Sequence, residues 1–357
     1  MKILVEIGHP GHVHHFKNMI WELEKDGHEI KIVSVDKDIA LNLLDAYGFS
    51  YEKLEKNYKS LAGKLFGLIV KDVRLLKIAK KFKPDMFISR VSPHSAHVSR
   101  LLHKPHISFN DTEHAKFSDM LAIPFTDVIC TSTSFKRDLG IKQVRSDGYT
   151  ELAYLHPNYF TPNPVVLDEL GLSKEDTFMI LRFVSWEASH DVGQCGFDLQ
   201  TKKELVKEIE KRAQVFITSE KTLTNDFEKY KITIPPEKIH DLLYYATMYI
   251  GEGATMASEA AVLGTPAIYV NTLRLGYLDE QEEKYGLVYN FTNPETAQKN
   301  AVAKAVKLLE DENLKKKWQR KKEKLLSEKI DVTKFMTDFI ENYPESFNEW
   351  KANNARE

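Results

Sequence analysis

The sequence predicts two doubly wound α/β domains, each a parallel sheet covered by helices, and three observations support this fold class. Short apolar segments alternate with amphipathic helical segments in both halves of the chain, as in β–α–β units. The length of 357 residues suits two domains that each bury a core. The proline-rich segment HPNYFTPNP, residues 156–164, suits a linker between them.

The first half opens as strand, loop, helix and strand. Residues 2–7 are apolar and end at the turn-forming GHPG, and helical spacing of apolar residues follows. About six strands are expected before residue 150. The segments assigned are strands at 2–7, 29–34, 85–89, 106–109 and 127–131, with helices at 13–25 and 60–82.

The second half repeats the alternation and ends in a strongly charged helical tail, 314–342, whose interleaved lysines and acidic residues indicate a solvated helix. Strands are expected at 177–184, 214–218, 248–251, 266–270 and 287–289, and helices at 199–212, 237–246, 255–264 and 295–309. The predicted domains are 1–160 and 165–335, followed by a helical tail, 336–357. Ligands of such sheets bind beyond the carboxyl ends of the strands, so the cleft between the domains is the expected site.

Composition excludes several classes of protein. The formal net charge is −2, which does not favour nucleic-acid binding. Cys130 and Cys195 lie far apart without metal-binding spacing, so we expect neither a disulfide framework nor structural zinc. Glu6 interrupts the apolar N-terminal segment, and no apolar run reaches the roughly 18 residues of a membrane span. A cytoplasmic protein is expected.

The strongest motif is MYIGEGATMASEAAVLGTPAIYV, residues 248–270, which predicts a strand, a tight turn and a helix. Small residues around Gly253 let the backbone approach a ligand, and the start of a helix favours an anion such as a diphosphate. Glu259 lies one turn beyond Thr255 and could accept both hydroxyls of a ribose. Alternatively Thr255 only caps the helix and Glu259 is a surface residue; spacing leaves both interpretations open.

This motif, preceded by IHDLL at 239–243, resembles the donor-site signature of GT-B glycosyltransferases. It is especially similar to the enzyme that adds N-acetylglucosamine to lipid-linked peptidoglycan precursors, and to UDP-N-acetylglucosamine 2-epimerases of the same fold. The resemblance implies a donor site of Gly253, Ala254 and Thr255 at the diphosphate, Glu259 at the ribose and Ile234 at the base.

Four further segments resemble an uncharacterised prokaryotic family, domain of unknown function three hundred and fifty-four, for which a GT-B fold is expected. They are GHPGHVHHF at 8–16, FNDTEHA at 109–115, DGYTELAYLHP at 147–157 and WEA at 186–188. The resemblance covers nearly the whole chain. It implies two Rossmann-type domains that face each other across a cleft, and it leaves the reaction open.

Histidines crowd the loop after the first strand, at positions 9, 12, 14 and 15. Imidazole titrates near neutral pH and can take a proton from an attacking hydroxyl. In the similar glycosyltransferases a Gly-His-Val sequence faces the active site, and GHV at 11–13 matches it. His12 is therefore the first catalytic candidate and His14 the second. Alternatively the histidines hold a metal, although no third ligand has matching spacing, or they only cap and pack.

Asp111 and Glu113 follow the strand at 106–109 and could act as acid and base, or Asp111 could cap the next helix. A 2-epimerase needs both groups around carbon 2 of the sugar. The His-Val-Glu-Ala-Gly pattern of those epimerases is absent here, which weakens that interpretation.

Cationic and hydroxyl side chains complete the predicted donor site. Arg182 lies near the end of the first strand of the second half and could neutralise a departing diphosphate, or form an ion pair at the rim. Ser185 and Ser219 also follow strands. The basic helix at residues 60–82 could lie on an anionic membrane, or be a core helix with a solvated lysine face.

These features predict a glycosyltransferase that moves a sugar from a UDP-sugar to a hydroxyl acceptor, lipid-linked or in cell-surface polysaccharide synthesis. We expect no metal or other cofactor, no nucleic-acid partner and peripheral membrane contact at most. The alternatives are a UDP-sugar 2-epimerase or hydrolase that uses Asp111 and Glu113, a nucleotide-sugar-binding protein without catalysis, and a structural partner in an assembly.

Overall fold

The computed structural model describes residues 1–35, 38–54, 61–184, 196–219 and 223–354. The chain divides into two compact units. The first is Met1–Tyr154 together with Ile330–Glu357, and the second is Leu155–Lys329. The return of the chain to the first unit differs from the sequence-based division, which carried the second domain to residue 335 and left 336–357 as a separate tail.

The first unit is built on a seven-stranded parallel sheet in the order β3-β2-β1-β4-β5-β6-β7. Its strands are β1 Lys2–Ile7, β2 Glu29–Val35, β3 Tyr51–Leu54, β4 Met86–Ser89, β5 His106–Phe109, β6 Val128–Ser132 and β7 Gln143–Ser146. The helices are α1 Pro10–Lys25, α2 Asp38–Ala46, α3 Leu61–Phe82, α4 Pro93–Leu101, α5 Lys116–Ala122 and α6 Leu152–Leu155. The strand order reverses between β1 and β4.

The second unit is built on a five-stranded parallel sheet in the order β12-β11-β10-β8-β9. Its strands are β8 Phe178–Phe183, β9 Gln214–Ser219, β10 Met248–Gly251, β11 Ala267–Val270 and β12 Val288–Phe291. Its helices are α7 Val165–Asp168, α8 Leu199–Ile209, α9 Ile239–Tyr245, α10 Ala254–Leu263, α11 Gly276–Glu283, α12 Ala297–Leu309 and α13 Leu314–Glu328. The order reverses between β8 and β10.

Two C-terminal helices, α14 Val332–Glu341 and α15 Glu345–Asn354, belong to the first unit. Helix α14 packs against α1, and the Thr333 hydroxyl donates a hydrogen bond to the Ala153 carbonyl at 2.7 Å. Met336 and Ile340 are fully buried. The chain returns because the apolar side of α14 is covered only when it packs on the first unit.

The predicted fold class is confirmed, since each sheet is parallel, doubly wound and covered by helices. The structure has seven strands in the first sheet where about six were expected. Strands β3 and β7 were not assigned because each has only four residues, carries polar side chains and lies at an edge of the sheet.

Helix α3 agrees with the expected helix at 60–82, and its core side includes Leu75, Ile78 and Phe82. Ile69 and Val73 are exposed and, being four residues apart, lie on the same side of the helix as each other. Contact of this helix with a membrane surface stays a prediction. Among the described residues, no helix combines the length and apolarity that a membrane crossing requires.

Candidate functional site

Several of the predicted site residues follow the strands between which the strand order reverses. In doubly wound sheets, ligands bind beyond the carboxyl ends of the strands at this switch point. In the first unit β1 leads into the histidine loop, and β4 leads into Arg90. In the second unit β8 carries Arg182 near its end, and β10 leads into Gly253. Residues far apart in sequence therefore meet at one sheet edge within each unit.

In the second unit, β10 ends at Gly251, a position that leaves no room for a side chain. A Cβ at Gly251 would overlap the Tyr249 hydroxyl and lie 2.8 Å from the Arg182 Cβ. The Tyr249 hydroxyl also donates to the Gly253 carbonyl at 3.1 Å, and burial raises its pKa. The hydroxyl of the buried Tyr249 thus holds the turn through Gly253. Because this hydroxyl occupies the space of a Cβ at position 251, only glycine fits there.

Helix α10 starts at this turn without a capping side chain, because its N-cap residue is Gly253. Ala254 and Thr255 form its first turn, and Thr255 is exposed. The interpretation in which Thr255 only caps the helix is therefore wrong. The first N–H groups of a helix have no partner within the helix, and together with its dipole they favour an anion.

Arg182 brings a positive charge to the same turn. Its Nη1 donates to the Thr218 hydroxyl at 3.1 Å, and its Nε lies 3.6 Å from the position that a Cβ of Gly253 would occupy. The guanidinium group therefore runs alongside the turn that starts α10. A cation beside the first N–H groups of a helix forms a site suited to a diphosphate.

Glu252, between the two glycines, is a residue that the sequence analysis missed. Its carboxylate is fully buried and accepts hydrogen bonds from the backbone N–H groups of Val184 and Phe197, both at 2.7 Å. The Lys202 ammonium lies 3.4 Å from it. Burial raises the pKa of Glu252. This carboxylate holds together the chain ends on either side of residues 185–195. The predicted Ser185 and the WEA motif lie outside the described residues.

Glu259 is buried rather than on the surface. It lies on α10 with 5% of its surface exposed, and its Oε1 is 3.0 Å from Nε2 of His240 on α9. The alternative of an exposed surface carboxylate is wrong. Thr255 precedes Glu259 by one helical turn, so the two lie on the same side of α10.

The structure places the two remaining predicted donor residues on neighbouring elements. Ser219 ends β9 opposite Phe183 of β8 and directly follows Thr218, the partner of Arg182. Ile234 lies half-buried in the loop before α9. The roles of Ser219 and Ile234 stay predictions.

In the first unit, the histidine loop forms the start of α1. His9 is the N-cap, and its Nδ1 accepts a hydrogen bond from the Gly11 N–H at 3.1 Å. Nδ1 of His12 accepts from the Gly8 N–H at 3.2 Å. A ring nitrogen that accepts a hydrogen bond carries no proton, so the neutral His12 ring has its proton on Nε2. In this arrangement His12 offers a donor rather than a base.

His14, the second catalytic candidate, lies within the packing of the unit. It is 7% exposed, and its ring contacts those of Tyr47 and Tyr154, with centroids 6.0 and 5.5 Å away. The Tyr47 hydroxyl lies 3.3 Å from its Nδ1. The surroundings of His14 favour a packing role.

Asp111 forms a short ion pair with Arg90 at the ends of β5 and β4. Burial alone would raise the pKa of Asp111, but the charge and hydrogen bond of Arg90 hold it below its ordinary value. His15 lies close by; burial, and then the charge of Arg90, lower its pKa well below its ordinary value. Near neutral pH the cluster therefore holds an ionised carboxylate next to a neutral imidazole.

The backbone beside this cluster is strained. Val91 has φ of 46°, a left-handed conformation that β-branched residues rarely adopt. The Val91 N–H donates to the Ser108 hydroxyl at 2.7 Å, and the Ser92 N–H to that of Ser89 at 3.2 Å. These bonds hold the conformation that directs Arg90 towards Asp111. Strain of this kind is concentrated at functional sites.

Glu113 has a different setting from Asp111. Its Oε1 accepts a hydrogen bond from the Lys136 N–H at 3.0 Å, which ties it to the loop after β6. The two carboxylates are thus close in sequence but engage different parts of the unit. Among the described residues, no group of three or more His, Cys, Asp or Glu side chains is placed to hold a metal ion.

Two Rossmann-type sheets in one chain, with polar groups gathered at the switch point of each, define the GT-B class of fold. The chain belongs to the family described as "Protein of unknown function (DUF354)", whose model matches residues 1–345. An uncharacterized protein of Methanocaldococcus jannaschii is 23% identical over 281 residues, 75% of this chain and 81% of that protein.

Solved structures share the fold at low sequence identity. The UDP-GlcNAc 2-epimerase from Neisseria meningitidis bound to UDP-GlcNAc is 12% identical, with a TM-score of 0.66 over 95% of this chain and 99% of that one. Spinosyn forosaminyltransferase SpnP is 11% identical, with a TM-score of 0.66 over 98% of this chain and 99% of that one. Both the transferases and the epimerases suggested by the sequence are thus structural neighbours.

Proposed function

We propose that this protein is a glycosyltransferase that takes a sugar from a UDP-sugar bound by the second unit. The observation that carries the proposal is the position of Arg182 alongside Gly253, at the start of a helix with no capping side chain. A departing nucleoside diphosphate develops negative charge, and fixed positive groups lower the barrier to its departure. Uridine as the base is supported by the UDP-GlcNAc bound to the neisserial neighbour.

In the proposed reaction the bond between the sugar and the diphosphate breaks, and an acceptor oxygen bonds to the same carbon. Arg182 and the N–H groups of Ala254 and Thr255 receive the charge of the leaving group. Positive charge from these groups makes a metal ion unnecessary. The acceptor hydroxyl gives its proton to the carboxylate of Asp111, which is ionised because its pKa is low. Because Nδ1 of His12 accepts from the Gly8 N–H, Nε2 is the His12 nitrogen that would donate to the substrate in this reaction.

Transfer is favoured over 2-epimerisation by the state of the carboxylates. Epimerisation at carbon 2 needs one group that removes a proton and another that delivers one. Asp111 is paired with Arg90, which keeps its pKa low, so it is not arranged as a protonated acid, and Glu113 is engaged by the Lys136 N–H. With UDP-GlcNAc as substrate, we expect UDP release to rise when an acceptor is added. A 2-epimerase would convert the sugar without any acceptor.

Calorimetric titration with UDP, UDP-GlcNAc, ADP and uridine tests the donor site. We expect UDP to bind more tightly than ADP. Arg182→Met should weaken UDP binding about 10- to 100-fold, or about 1.4–2.7 kcal/mol, and leave uridine binding unchanged, because uridine has no phosphates.

Arg212→Met is the matched control, since Arg212 is an exposed arginine of the same unit. It should bind UDP as the wild type does. A folded wild type that binds none of the four ligands would refute the donor site. Equal losses for UDP and uridine in Arg182→Met would show that Arg182 does not act on the diphosphate.

A further inference from the structure

His240 and Glu259 form a buried polar contact between two helices of the second unit. His240, on α9, is 3% exposed and Glu259, on α10, is 5% exposed, and Nε2 lies 3.0 Å from Oε1. The ring of Phe160 meets the imidazole edge-on, with centroids 6.5 Å apart. Burial of such groups is costly unless they are hydrogen-bonded, and this contact satisfies a polar atom of each side chain.

The contact fixes the orientation of the carboxylate. An imidazole N–H at Nε2 that donates to Oε1 restricts rotation of the carboxylate about its last bond, and Phe160 restricts the imidazole in turn. The contact from α9 therefore restricts the orientation of Glu259 before any ligand binds. Pre-organised acceptors bind hydroxyls more tightly than mobile ones, because less conformational freedom is lost.

The position of Glu259 relates it to the proposed diphosphate site. It lies five residues beyond Ala254, about 7.5 Å along the helix axis from the start of α10. Thr255, in the first turn, lies on the same side of the helix. A nucleotide whose diphosphate lies at the helix start can thus extend its ribose along α10 towards this carboxylate.

We infer that His240 is a positioning residue that holds Glu259 to bind the vicinal hydroxyls of the nucleotide ribose. The inference rests on the proposed function and adds to it the residue that makes the site selective for ribonucleotides. A site built to hydrogen-bond a hydroxyl rejects the analogue without it, because its own polar groups then lose their partner. The protein should therefore discriminate UDP from 2′-deoxy-UDP, and this discrimination should depend on His240.

The test is calorimetric titration of UDP and 2′-deoxy-UDP with the full-length wild type, His240→Leu and His240→Gln. We expect the wild type to prefer UDP by at least 10-fold. His240→Leu should reduce this preference to less than about 3-fold, chiefly by weakening UDP binding. His240→Gln should restore most of it, because the glutamine amide can donate from nearly the position of Nε2.

Gln281→Leu is the matched control. Gln281 is fully buried, and its amide donates to the hydroxyl of Ser258, the residue before Glu259, at 2.8 Å. The substitution removes this buried hydrogen bond to α10 but leaves the contact between His240 and Glu259 in place, so the preference for UDP over 2′-deoxy-UDP should remain. If His240→Leu does not fold, two other variants test the inference. Glu259→Gln should abolish the preference for UDP over 2′-deoxy-UDP, whereas His240→Gln should keep it.

The outcomes separate this inference from the proposed function. An unchanged UDP preference in His240→Leu, or an equal loss in Gln281→Leu, overturns the role of His240 while the donor site stands. A wild type that binds UDP and 2′-deoxy-UDP equally overturns the role as well. A wild type that binds neither nucleotide refutes the proposed function and, with it, this inference.

Discussion

The ion pair between Arg90 and Asp111 joins two neighbouring strand ends and offsets the cost of burying the carboxylate. Asp111 keeps a low pKa only because Arg90 opposes the effect of burial. A folded-state pKa below the unfolded value of about 3.9 contributes stability that is present above this pH. The contribution is lost as the pH falls through the lower folded value. The pair therefore links the stability of the first unit to acid pH.

Arg90→Met should reduce the free energy of unfolding at pH 7 by about 1–3 kcal/mol, because it leaves a largely buried carboxylate without its cation. The difference from wild type should shrink as the pH falls, because Asp111 in the variant, buried without its cation, is protonated at a higher pH than in the wild type. Urea unfolding of both proteins at pH 7 and pH 3.5 measures this. Arg100→Met, an exposed arginine on α4, should show no such pH dependence. A constant difference across pH would contradict the linkage.

The sequence indicates which residues carry reactive groups better than it indicates which residues those groups contact. The glycines and the arginine at position 182, which the sequence singled out, lie together at one sheet edge. The partners of Glu252, 55 and 68 positions away in sequence, were not visible, and no local spacing could show them. The proton position on His12 was equally hidden, since it depends on one backbone N–H of Gly8. Local patterns identify reactive groups, whereas tertiary contacts decide their protonation and orientation.

Helix α13 shows how a charged segment can have a structural role. The sequence suggested a solvated helix. Instead, Lys321 donates to the Gly286 carbonyl at 2.6 Å and lies 3.6 Å from the ring centroid of Trp318, and burial lowers its pKa. Gln319 donates to the Leu263 carbonyl at 3.3 Å, at the end of α10. The helix thus satisfies carbonyl groups that helix ends leave without partners.

Lys321→Met should destabilise the protein by about 1–2 kcal/mol, since it removes a hydrogen bond to a backbone carbonyl and a cation–π contact. Lys316→Met, an exposed lysine of the same helix, should change stability by less than about 0.5 kcal/mol. Urea denaturation followed by tryptophan fluorescence measures both. Equal effects of the two substitutions would favour the solvated helix suggested by the sequence.

Elements were predictable where burial is regular. Strands β1, β5 and β10 have the bounds expected from the sequence. β1 and β10 are mainly apolar, as parallel strands buried on both faces usually are, whereas β5 also buries His106 and Ser108. Helix α11, with the sequence GYLDEQEE, was not assigned although Leu278 is fully buried. One buried leucine among acidic residues gives no helical period, so tertiary contacts define this helix.

The first unit is assembled from two distant parts of the chain. Helix α14 follows the whole second unit in sequence and packs on α1. It buries Val332, Met336, Phe339 and Ile340. At about 1.5–3 kcal/mol for each buried side chain, these four supply roughly 6–12 kcal/mol of hydrophobic stabilisation. That is comparable to the whole stability of a typical domain, about 5–15 kcal/mol.

Truncation after Lys329 should therefore unfold the first unit and leave the second folded. Limited proteolysis followed by mass spectrometry should recover a protected fragment near Leu155–Lys329. Truncation after Asn342, which removes only α15, should leave both units resistant to proteolysis.

Conversely, residues 1–154 joined by a short linker to 330–357 should fold alone, because the hydrogen bond from Thr333 to Ala153 brings the two segments close together. A protein truncated at Lys329 that resists proteolysis as the full chain does would show that the first unit is stable without its C-terminal helices.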